Sequence, residues 1–175
     1  MSAYFRHAGR RANLYSRSRS AGRPQYNPFY AEGISAFHRF ADRLEKAPAF
    51  PRLIVLPPAA GFIHACSREQ VAQRLAQMPP AHVQGLRAVF LLGGRRKQLR
   101  SWYSNLACYG FYWNDCVFLC AHPQSLREQT RDELNAYYLE DVLVHEVAHH
   151  IDRHRNAPDT KKENFANGFV EQQRA

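Results

Sequence analysis

The sequence predicts an α+β domain: one small twisted mixed sheet with helices packed on it. Patterned segments run in the order helix, strand, helix, strand, hairpin, long helix, short helix. The strand candidates are short apolar runs bounded by Gly, Pro or Asn-Asp. The chain has 175 residues, 45% of them hydrophobic and 13% aromatic, which suits one domain with a real core and excludes global disorder.

Residues 1–27 (MSAYFRHAGRRANLYSRSRSAGRPQYN) lack an apolar stripe and read as a flexible basic arm, leaving residues 28–175 as a single domain. Within it, SAFHRFADRLEK (35–46) places Phe37, Phe40, Ala41 and Leu44 at helical spacing, and Pro48 and Pro51 end that helix. RLIVL (52–56) reads as a buried strand closed by Pro57-Pro58. SREQVAQRLAQM (67–78) is an amphipathic helix whose Ser67 and Gln70 form a capping box. LRAVFLL (86–92) is a second strand that turns out through Gly93-Gly94. CYGFYW (108–113) and CVFLCA (116–121) flank Asn114-Asp115, a two-residue hairpin connection. Residues 125–154 are helical in character, in one piece or two, and a last helix starts near Lys161.

The net charge of +9 is uneven. Residues 1–31 carry six Arg and no acid, so the other 18 basic and 15 acidic residues leave only +3. The arm, through residues 6–23, suits nucleic acid or an acidic partner. Its Arg- and Ser-rich, acid-poor composition also fits an organelle-targeting signal, as an alternative to a cytoplasmic location. A solvated tail without a dedicated partner is the plain alternative to both. No apolar run is long enough for a membrane span. The loop carrying Arg95, Arg96, Lys97 and Arg100 lies beside Trp102 and Tyr103, a combination that can stack on single-stranded nucleic acid; a solvated loop is the simpler expectation. Cys66, Cys108, Cys116 and Cys120 form no Cys-x-x-Cys pair, so they read as reduced, partly buried thiols in a reducing compartment.

Near the end of the chain, LEDVLVHEVAHHIDRHRNAPDTKKENFANGFV (139–170) contains His-Glu-x-x-His. On a helix, residues i and i+4 share a face, so His145 and His149 can bind one metal ion. Glu146 follows by 100° and borders that face, where it can reach a water beside the metal without ligating. Leu139, Leu143, Val144, Val147 and Ile151 fall on the opposite side, so the helix can pack through its back and present the histidines to a cleft. A catalytic zinc takes three protein ligands and keeps one open position. Glu163, fourteen residues after His149, and Asp159 are the candidates for the third. His154 points about 180° from His145 on a continuous helix. The plain alternative is a pair of histidine-rich surface helices with a salt-bridged Glu.

The segment resembles the gluzincin clan of zinc metallopeptidases, whose pattern is HExxH followed by a Glu on the next helix. HEVAHHID…ENFANGFV is similar to the lethal-factor and Pro-Pro-endopeptidase group, and to the repressor-cleaving and stress-response peptidases. The likeness covers roughly residues 108–170 and implies a zincin-like fold. It implies His145, His149 and Glu163 as ligands of one Zn²⁺ per chain and Glu146 as general base. It also implies that Ala166 allows close helix packing, and makes Asp152 and Asn167 candidates to orient the ligands. Only 12 residues follow Glu163, so an oxyanion-stabilising group is sought earlier, at Tyr112, Tyr138 or His154. The expected activity is zinc-dependent peptide hydrolysis, with a protein or peptide substrate paired along a sheet edge of the 108–121 hairpin. The alternative is a nucleic-acid-associated protein acting through the arm, with or without proteolysis.

Overall fold

The computed structural model describes residues 27–44, 49–103, 107–126, 129–152 and 158–174. The chain enters through α1 (Pro28–Arg39), where Asn27 accepts a hydrogen bond from the Phe29 N–H and Pro28 occupies the first helical position. A 3₁₀ turn (Ala41–Leu44) follows. The first helix therefore starts seven residues earlier than its sequence pattern suggested. The inward stripe is Phe29, Gly33, Ala36 and Phe37, so the apolar face begins beside the arm. Residues 1–26, which hold the rest of that arm, lie outside the described residues.

The main sheet holds β1 (Arg52–Val55), β3 (Ala88–Leu91), β4 (Gly110–Trp113) and β5 (Cys116–Leu119), in the order β1-β3-β5-β4. β1, β3 and β5 are parallel, and β4 returns antiparallel on β5. All four residues of β3 and of β5 are buried, which is why their sequences read as unbroken apolar runs. β1 was expected to be buried too. It is instead an edge strand, with Arg52 and Val55 exposed, because only β3 covers it. Asn114 and Asp115 both take positive φ, 52° and 56°, which closes the β4–β5 hairpin tightly. A separate ribbon pairs β2 (Phe62–Ile63) with β6 (His122–Pro123).

Side-chain alternation gives the sheet two apolar faces. One carries Phe90, Phe118 and Phe111, stacked across three strands with ring centroids 4.8 and 4.6 Å apart. α1 packs there, with a Cα–H of Gly33 where a Cβ would lie 2.4 Å from the Phe111 ring. Phe29, Phe37 and Trp102, the last from α4 (Leu99–Trp102), complete this side. The other face carries Val89, Leu91, Val117 and Leu119. It is covered by α2 (Arg68–Ala76), by α3 (Pro80–Val83) and by one long helical stretch. The α2 capping box is present as the sequence indicated. The long stretch runs as α5 (Arg131–Ala136), a π-helical segment (Tyr137–Leu143) and α6 (Val144–Ile151). The last helix, α7 (Asp159–Arg174), packs on α6. No described helix is long and apolar enough to cross a membrane. Trp102 is buried, so the neighbouring basic loop lacks the stacking platform its sequence offered.

Candidate metal centre

α6 is held against the sheet by Val144, Val147 and Ala148, all fully buried. That seating fixes the helix rotation and turns His145 and His149 toward α7. Their Nε2 atoms stand 3.1 Å apart, with the rings at 83° to each other. α7 approaches through Ala166, which is fully buried and has little side chain to hold the helices apart. One turn earlier on α7, Glu163 places Oε2 3.3 Å from His145 Nε2 and Oε1 3.4 Å from His149 Nε2. Among the described residues, His145, His149 and Glu163 form the one group of three or more His, Cys, Asp or Glu side chains able to hold a metal ion.

The electrostatics favour positive charge here. Burial pushes the Glu163 carboxyl up, but hydrogen bonds to His145 and His149 and their charge outweigh it and hold the group at about 2. Burial pushes His149 down, yet its hydrogen bond to Glu163 and the nearby carboxylates Glu146, Glu163 and Asp152 leave it above the usual imidazole range. Glu163 is thus fixed in the anionic form that a ligand needs, and three carboxylates surround the position a cation would take.

Glu146 is 5% exposed and lies under β4. A Cβ on Gly110 would come within 3.3 Å of Glu146 Cγ and 2.6 Å of Val142 Cγ1, so only glycine lets the strand pass this close. β4 is the sheet edge on this side. A cavity of about 410 Å³ opens beside it, lined by Tyr30, Tyr112, Asp115, His149, Lys162 and Glu163, with Asn114, Asp152 and Asp159 completing the wall.

The remaining sequence candidates are distributed as follows. Asp152 caps α6, is buried and raises His149 electrostatically, so it lies where a ligand-orienting group belongs. Asn167 does not: it is exposed, because α7 meets the core through Glu163, Ala166, Phe169 and Val170 and Asn167 lies past the edge of that arc. Asp159 opens α7 and lines the cavity but stays outside the ligand group, with Lys162 Nζ 4.0 Å from its carboxylate. Tyr112 lines the cavity; its hydroxyl donates to Asp115 Oδ1 at 2.8 Å and lies 3.2 Å from His150 Nδ1. Tyr138 is removed from the oxyanion candidates, since its buried hydroxyl donates to the Cys120 carbonyl at 2.9 Å. His154 lies outside the described residues.

Tyr30, Asn114, Asp115 and Lys162 were missed as cavity residues. Asn114 and Asp115 carried a turn signal but no chemical one, and Tyr30 comes from the far end of the chain, where nothing in the sequence ties it to His149. No protein-family model, curated protein or solved structure matches this chain.

Proposed function

We propose that this chain is a zinc-dependent endopeptidase. The observation that carries the reading is the convergence of two imidazole Nε2 atoms and one carboxylate beside a buried Glu146, under an open sheet edge. Ligands about 2.0–2.1 Å from a tetrahedral zinc stand roughly 3.3–3.4 Å from one another. The separations of 3.1, 3.3 and 3.4 Å among these donors fit that spacing. Zinc held by His145, His149 and Glu163 supplies Lewis acidity toward a carbonyl oxygen and a lowered pKa for water.

The protein's own groups do the rest. Glu146 accepts a proton from the attacking water at its carboxylate and passes it to the leaving amine nitrogen. The outer edge of β4 offers main-chain N–H and C=O groups to an extended peptide, laying it along the cavity past His149. Asp152 orients His149 through charge. The gluzincin likeness of HEVAHHID…ENFANGFV supports the same assignment.

The test is cleavage of a peptide library by wild type and Glu146→Gln, with zinc content and circular dichroism measured in parallel. Glu146→Gln should keep zinc and fold and lose about 10²–10⁴ in rate, the usual cost of a positioned general base. Glu163→Ala should lose metal and activity together. Full activity in Glu146→Gln would remove the general-base assignment.

A further inference from the structure

We propose that Cys108 and Cys120 are a redox pair, a dithiol that a low-molecular-weight disulfide converts into an intramolecular disulfide. The pair sits where the two arms of the hairpin close beneath β4. The Cys120 N–H donates to the Tyr109 carbonyl at 2.8 Å, which puts Cys120 opposite Tyr109 and Cys108 one residue away. Neighbouring strands lie about 5 Å apart, and disulfides span Cα separations of roughly 4.4–6.8 Å. The two thiols share a hydrogen bond, so the sulfur atoms already face each other. Both belong to the aromatic cluster on the α1 side of the sheet, Cys120 inside it and Cys108 at its margin.

The accessibilities differ in the way that exchange chemistry needs. Cys120 is 3% exposed, whereas Cys108 is half-buried and meets reagent first. Cys108 attacks the small disulfide, forming a mixed disulfide and releasing one thiol. Cys120 then attacks the Cys108 sulfur, forming the protein disulfide and releasing the second thiol. The protein loses two electrons and two protons, and the small disulfide takes up both. The other cysteines cannot substitute. Cys66 lies in the cluster on the opposite face of the sheet. Cys116 is four residues from Cys120 along one strand, about 13 Å at the usual rise. Burial pushes both thiols up to about 12, out of the reactive range.

The state of the pair is felt at the metal centre. The reduced Cys108 S–H donates to the Gly110 carbonyl at 3.3 Å, and Gly110 is the residue that β4 lays over Glu146. Oxidation removes that donor and ties the start of β4 to the end of β5.

The experiment uses the full chain, oxidised glutathione and peptide mapping without reductant. The expected result is a Cys108–Cys120 cross-link with loss of two hydrogens per chain, reversed by dithiothreitol, while Cys66 and Cys116 are alkylated only after denaturation. Cys116→Ala should still cross-link, and Cys120→Ala should stop at the mixed disulfide on Cys108. Wild type that stops at that mixed disulfide, or links to Cys116 or to a second chain, would overturn the proposal.

Discussion

Gly110 is the residue at which the sheet and the metal centre meet. It has no side chain because Val142 and Glu146 occupy the space a Cβ would fill. Gly110→Ala should therefore destabilise the fold by ~1–3 kcal/mol, the cost of overpacking a filled core, and should displace Glu146. Urea unfolding measures the first effect, and unchanged stability would show that β4 and the helix separate freely. The residue scale also explains why His145, His149 and Glu163 act as a unit. Each is less than a tenth exposed or nearly so, and each polar atom is satisfied by another member of the group. Removing one side chain leaves the other two buried with an unmatched partner, so single substitutions here should cost stability as well as metal.

Elements set where these residues can go. α1 begins at Asn27, whose side chain caps the helix, so the basic arm ends one residue before the cap. Truncation of residues 1–26 should leave cooperative melting intact, whereas Asn27→Ala in the full chain should cost about 0.5–2 kcal/mol, the usual loss for an N-cap. Thermal melts of the two proteins decide this, and collapse of the transition on truncation would place the arm in the core. Signals that act over a few residues were legible in the sequence: the Ser67–Gln70 capping box, the Asn114-Asp115 connection and the i, i+4 histidines. The start of α1 was not, because its first apolar residue, Phe29, directly adjoins the arm. Nor was the exposure of β1, since strand order decides which apolar run becomes an edge. The role of Tyr138 was hidden for a related reason. Only the packed structure shows the Cys120 carbonyl waiting for its hydroxyl.

The whole molecule is a sheet with an aromatic face closed by α1 and an aliphatic face closed by the helices that carry the metal ligands. Tyr30 links the two, since it stacks near Phe111 on one side, with centroids 4.4 Å apart, and lines the cavity on the other. Such convergence of distant segments depends on which helix passes which strand edge, and no local pattern records it. The central claim is that this architecture exists to present one metal to an open edge. The measurement that tests it most directly is zinc per chain in purified protein after loading and desalting, for wild type and for His145→Ala/His149→Ala. The account predicts one zinc per chain in wild type and none in the double variant. Wild type that retains no zinc, or a double variant that keeps a full equivalent, would contradict it.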